Sequence, residues 1–196
     1  MIVNDSLSWR SVLGFWFGEP GGAEYGRPRE NWFKTSPAFD EEIHRRFGEL
    51  HVRALKGEPD TWSQAPESAL ALLIVLDQFS RNLHRGTAQA FAADGKALAL
   101  AQRMVAQQWD QAFLPVQRQF VYLPFEHAED MATQNEAIRL FEQLREDSTS
   151  EIAIDYAYRH RAVIERFGRF PHRNAILGRS STDEELAFLK QPGSSF

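Results

Sequence analysis

Apolar residues along this chain recur at three- and four-residue spacings, the period of a helix face rather than of a strand. Trp9, Val12, Leu13, Trp16 and Phe17 form the first such stripe, closed by Gly18-Glu-Pro-Gly-Gly. Ser36-Pro37 reads as an N-cap followed by proline at the first helical position, and the stripe Phe39, Ile43, Phe47, Leu50, Ala54 then runs until Gly57. Pro66-Glu-Ser-Ala opens a third helix whose run from Leu70 to Leu76 is apolar all round, which predicts the buried central helix. Thr87 opens a fourth, Ala-rich helix to about Gln108. A fifth spans Pro115 to Tyr122, where Pro124 is expected to kink or break it. Asp130 to about Arg145 forms a sixth. Ser150 caps a seventh that ends at Phe167, with His160 on its apolar stripe. Thr182-Asp-Glu-Glu185 is a capping box for a short last helix ending before Pro192.

No hairpin signal and no sustained alternation of polar and apolar residues occurs, so the fold class is all-α. Seven to eight helices with short connections predict antiparallel pairs, either a globular bundle or a short superhelix of hairpins, with no self-similarity at a 34-residue period. One domain is expected over residues 1–196, with a long loop near 18–35 and a loose tail over 191–196.

Composition narrows the chemistry. The 196 residues include no cysteine, which excludes disulfides, thiolate catalysis and Cys-based metal sites. The N-terminal stretch to Arg10 lacks signal-peptide form and is read as uncleaved. The longest apolar run, Ala69 to Leu76, is far short of the ~20 residues that cross a bilayer. A cytoplasmic location and no membrane partner are the expectation. The two halves of the chain, divided after Leu98, carry 11 basic and 13 acidic residues, then 11 and 14, so no basic nucleic-acid module is present. The basic residues are 18 Arg against 4 Lys. Six of those Arg fall between Arg159 and Arg179 beside His160 and His172, with Glu165 as the one acid. Arginine's planar fork suits bidentate pairing with a carboxylate or phosphate.

Three polar clusters adjoin strongly apolar helices. In Asp77-Gln-Phe-Ser-Arg-Asn-Leu-His-Arg-Gly86, residues Asp77, Arg81 and Arg85 share a face if the helix continues, with Asn82 near its end. A charge at Asp77, directly after the buried run, has to be paired or solvated by a pocket. In Tyr122-Leu-Pro-Phe-Glu-His-Ala-Glu-Asp130, a continued helix brings Glu126, His127 and Asp130 within a turn, a spacing for acid–base chemistry or a cation, or else plain helix-terminus acids. The HExxH zinc signature is absent, and neither a metal nor another cofactor is expected. In the third, His160 reads as a core histidine, and Arg169, His172, Arg173 and Asn174 crowd one loop interleaved with Phe170, Pro171 and Ile176. A packed loop with so many cationic donors needs a partner, either internal acids or a bound anion.

These motifs, with Ala90-Phe91 and Asp94, Gln134, Leu177-Gly-Arg, Thr182 and Glu185, and the opening Val12-Leu-Gly-Phe-Trp-Phe-Gly, resemble the bacterial domain-of-unknown-function family 924 (DUF924) over roughly Trp9 to Leu189. The resemblance implies a tetratricopeptide-like right-handed superhelix in a soluble bacterial protein, with no established activity. This chain has Ala128 where family members often have Ser, so no mechanism rests on a hydroxyl there.

Three functions compete. The leading one is a helical binding module with an Arg/His/carboxylate pocket for an anionic small molecule or peptide. The second is a hydrolase-like enzyme using Glu126 or His127 as general acid/base. The third is a buried ion-pair network with a protein-interaction role. An accessible pocket separates the first two from the third.

Overall fold

The computed structural model describes residues 8–58 and 60–195, and most of the N-terminal stretch read as uncleaved lies outside them. Among the described residues there is no strand, and eight helices carry the fold. Helix α1 (Trp9–Phe17) is capped by the Ser8 hydroxyl, which accepts from Ser11 N at 3.1 Å, and ends at Gly18 with φ +83°. A side chain at Gly18 is disfavoured by that left-handed backbone and by Tyr25 N, which would lie 3.2 Å from an added Cβ. The long loop that follows is anchored by Trp32, whose indole stacks on Trp16 and donates to Trp16 O at 3.1 Å.

Helix α2 (Pro37–Leu55) starts as expected, with Ser36 as N-cap and proline at the first position. Helix α3 begins at Pro66–Leu73, widens into a π-helical stretch over Ile74–Phe79 and closes as Ser80–Leu83. Every residue from Leu73 to Ser80 is buried, so this is the central helix. The expected helix from Thr87 is instead a 3-10 turn, Ala88–Phe91, followed by α4 (Asp94–Ala106). Asp94 in the first turn of α4 suits the helix dipole.

Helix α5 (Pro115–Glu126) runs through Pro124, so the expected break does not occur. The ring removes one backbone donor, but only two residues of helix follow it, and the buried run from Phe120 to Glu126 packs the turn in place. A short connection, 127–130, reverses the chain into α6 (Met131–Phe141). Helix α7 (Glu151–Phe167) ends at Gly168, whose φ of +69° is left-handed. Ser150 stands at its N-cap position without capping it, because the hydroxyl donates to Asp147 and accepts from Gln119. Helix α8 (Asp183–Phe188) carries the expected capping box between Thr182 and Glu185. In the tail, expected to be loose, Ser194 is buried and donates to Leu189 O at 3.1 Å.

Successive helices pack as neighbours from α2 through α7, with α1 laid on α3. Trp16, Trp32, Phe39, Phe79 and Phe120 form the aromatic centre of the core. The polar cluster described next lies where α3, the start of α4, the end of α5 and the turn 171–173 converge.

Candidate functional site

Burying a carboxylate is costly unless charge partners and donors replace its water. Asp77 sits inside the π-helical stretch of α3 with 2% of its surface exposed. Its Oδ1 accepts from His127 Nδ1 at 2.8 Å and lies 3.1 Å from Arg81 Nη1, while Oδ2 accepts from Gln78 Nε2 at 2.5 Å. Burial, the largest influence on this carboxyl, opposes its charge, but Arg81 and His127 outweigh it and hold it well below the ordinary range. Arg81 also grips Asp94 with two bonds, Nη1 to Oδ1 at 3.0 Å and Nη2 to Oδ2 at 3.2 Å.

The wide turn leaves its mark on the ladder. A π-helical turn replaces i→i+4 bonds by i→i+5 bonds, and two side chains reach back to carbonyls of this stretch: Ser80 Oγ donates to Leu76 O at 2.6 Å and Arg81 Nη1 to Asp77 O at 2.9 Å.

His127 caps the C-terminus of α5. Its pKa is lowered by burial first and by Arg81 second, against the pull of Asp77, so the ring is neutral near pH 7. With Nδ1–H donated to Asp77, Nε2 is left as the bare ring nitrogen. Behind it, Glu126 Oε1 lies 2.8 Å from His160 Nδ1, which also faces Tyr156 O at 2.8 Å, so one N–H is shared. Glu126 Oε2 is buried with no hydrogen-bond partner among the described residues.

Arg173 differs from its neighbours. Arg159, Arg161, Arg166, Arg169 and Arg179 each have a carboxylate oxygen within 3.1 Å, on Asp155, Glu165, Glu184, Glu185 and Glu129. Arg173 reaches Asp94 Oδ2 only at 3.5 Å and donates to His127 O at 3.1 Å. Its guanidinium carbon lies between the rings of Phe91 and Phe170, 4.7 and 4.5 Å from their centroids. It is 6% exposed, and its Nε has no partner. Burial, and then repulsion from Arg81, lower its pKa to about 10. The loop holding it is pinned by Glu129, which takes two bonds from Arg179 at 2.6 and 3.0 Å and accepts from Phe170 N at 2.7 Å. His172 on the same loop is held neutral, its pKa lowered to about 4 by burial and then by Arg173.

His127 and Arg173 line an open depression of about 480 Å³ whose walls are largely apolar, with Phe91, Leu98, Pro124 and Leu177 among them. Asp94, Glu129 and Asp130 complete its polar lining.

The twelve residues singled out from sequence thus divide. His127, Arg173 and Asp130 line the depression, Asp77 and Arg81 join His127 beneath it, and Glu126, His160 and His172 pack behind. Asn82 and Arg85 belong elsewhere: the helix stops at Leu83, and both side chains bind Asp40 in the first turn of α2, so Arg85 does not share a face with Asp77. Asp130 is not one helical turn from Glu126, because α5 ends at Glu126; it is an exposed N-cap of α6, accepting from Thr133 N at 2.9 Å. Arg169 makes a two-bond clasp to Glu185 and ties α8 to the loop, and Asn174 donates at 3.0 Å to Oγ of Ser181, just before that helix. Sequence reasoning missed Asp94, Glu129 and Asp40 as partners, since acids in a first turn or between helices look like dipole features. Their signal was the arginine excess, which required acids to answer it. Among the described residues no group of His, Asp and Glu is arranged to hold a metal ion.

The structure is similar to that of the protein of unknown function ATU0120 from Agrobacterium tumefaciens, at 40% sequence identity and a TM-score of 0.82, covering 93% of this chain and 96% of that one. No curated protein matches the sequence. The family described as bacterial protein of unknown function, DUF924, matches residues 12–193, nearly the whole helical body including all three polar clusters, and the chain belongs to that family.

Proposed function

We propose that this protein is a helical binding module, its hairpins stacked in a tetratricopeptide-like superhelix, and that the depression beside Arg173 receives an anionic small molecule. The observation that carries this is the contrast among the arginines. Five of the six in the segment are answered by a carboxylate at hydrogen-bond distance, whereas Arg173 is buried between two phenyl rings with its nearest carboxylate at 3.5 Å. A buried guanidinium with donors to spare is a place where an external oxyanion replaces missing protein acceptors. A cytoplasmic location is part of this reading and rests on the sequence. Calorimetric titration with carboxylates and phosphates tests it. At least one anion binds saturably to the wild type and at least tenfold more weakly to Arg173→Gln with its helical content and melting temperature checked. Absence of anion binding, or binding unaltered in the variant, refutes it.

A second reading is favoured by one feature, the Asp77–His127 pair. An imidazole oriented through Nδ1 by a buried carboxylate, on a residue that lines an open depression, is the arrangement of a general base. A rate with activated esters that disappears in His127→Gln supports it, and an unchanged rate removes it.

A further inference from the structure

The chemistry around Arg173 narrows the anion, granted the binding role proposed above. A dianion is disfavoured because Asp94, Glu129 and Asp130 line the same depression and Asp77 lies just beneath it. The remaining lining is apolar: Phe91, Leu98 and Pro124 form wall, and Leu177 is 37% exposed at the site. An apolar body laid there removes that surface from water. His127 adds a further condition. Its Nε2 carries a lone pair, so an arriving carboxylate oxygen meets acceptor against acceptor unless the ring gains a proton.

We propose that the ligand is a monocarboxylic acid with an apolar body, bound as its carboxylate between Arg173 and a protonated His127. One proton, from solvent or from the acid itself, goes to Nε2. The new N–H donates to the carboxylate, while Nδ1–H stays on Asp77. The charges facing this imidazole accommodate the cation. Asp77 and Arg81 come from α3, Asp94 from α4, Glu126 from the last turn of α5 and Glu129 from the connection after it, His160 from α7, and His172 and Arg173 from the loop. Burial first and Arg81 second oppose protonation, though Arg81 is already engaged by Asp94; Asp77, Asp94 and the incoming carboxylate favour it. Binding therefore tightens as pH falls through neutrality.

The test is isothermal titration of the full chain with acetate, butanoate, hexanoate, octanoate and inorganic phosphate, at pH 7 in three buffers of different ionisation enthalpy. Affinity is expected to rise by about two- to fourfold per methylene along the series, with phosphate weakest. The buffer dependence is expected to report uptake of up to one proton per ligand. His127→Gln keeps an N–H donor at the site, so it retains binding and abolishes proton uptake; Arg173→Gln weakens binding at least tenfold. Phosphate binding as tightly as octanoate, affinity independent of chain length, or heats that do not change with buffer would overturn the proposal while leaving an anion site standing. Failure of every anion to bind would remove the binding role itself.

Discussion

Asp77→Asn is the most informative single substitution in this molecule. It preserves size and leaves an amide oxygen to accept from His127 Nδ1. The Gln78 amide can turn to accept from the new amide, so the hydrogen bond count is nearly conserved. What disappears is a buried negative charge 3.1 Å from Arg81 and 2.8 Å from His127. Removing one partner of a buried ion pair costs about 3–5 kcal/mol, and the lower end applies because Arg81 keeps both bonds to Asp94. A loss of about 3 kcal/mol in a chain of this size corresponds to a fall in Tm of about 6–12 °C. The pH dependence supplies a second, independent readout. Asp77 is held below its ordinary value of 3.8, so the folded state binds this proton less readily than the unfolded one. The stability it contributes is complete above the unfolded value and is lost as pH falls below about 4. Urea denaturation of wild type and variant from pH 7 down to pH 2.5 should therefore give two curves that converge as pH falls. A destabilisation under about 1 kcal/mol at pH 7, or two parallel acid limbs, would show that the charge on Asp77 does not hold this network together. A double-mutant cycle with His127→Gln should give a coupling of about 1 kcal/mol or more, since the two side chains touch.

Three further outcomes follow from the same structure. His51 is buried, its Nε2–H donates to Ser80 Oγ at 2.8 Å, and burial followed by the neighbouring His84 lowers its pKa to about 4, so up to about 3 kcal/mol of stability is lost as pH falls from 6.5 towards 4; His51→Gln, measured by denaturation at pH 7 and pH 4.5, should flatten that limb. Thr182→Ala removes the hydroxyl that accepts from Glu185 N at 3.2 Å and should cost about 1 kcal/mol, seen as faster amide exchange confined to α8 and the loop it clasps. For the anion site, Arg173→Gln should lose ligand-induced stabilisation in a thermal-shift titration while Arg159→Gln, in an exposed pair with Asp155 at 2.7 Å, should keep it.

Legibility divides along the range of the interactions. Features written in neighbouring residues were readable: Ser36-Pro37 and Thr182 with Glu185 start their helices as expected, and Gly18 and Gly168 end theirs. So was the burial of α3, because an all-round apolar run has few other places to go. The break expected at Pro124 did not occur because proline's effect depends on how much helix follows it, and only two residues do. The helix expected from Thr87 became a 3-10 turn before Asp94, which alanine-rich composition does not distinguish from a helical start. Which acid answers which arginine was not legible at all. Arg85 with Asp40, Arg173 with Asp94 and Arg179 with Glu129 are 45, 79 and 50 residues apart, and such pairs exist only once the helices have packed.

The π-helical stretch shows how the two scales meet. Asp77 follows a helix buried on every side, so a regular turn would aim a charge into a core or toward a neighbour chosen by the α period alone. Widening the helix over Ile74–Phe79 changes the angular step between residues above and below it. In this geometry Asp77 meets His127 from α5, Arg81 still returns to Asp77 one turn later, and the fork of Arg81 extends to Asp94 on α4. Three helices are thereby joined through one buried carboxylate. The widened turn also leaves carbonyls for side chains, and Ser80 and Arg81 take two of them, so the irregular segment is held by the same arginine that neutralises its charge. A distortion whose only consequence was packing would need no such charge beside it. Its coincidence with the carboxylate that holds His127 ties the widened turn of α3 to the site, in the way π-bulges recur where side chains must be aimed.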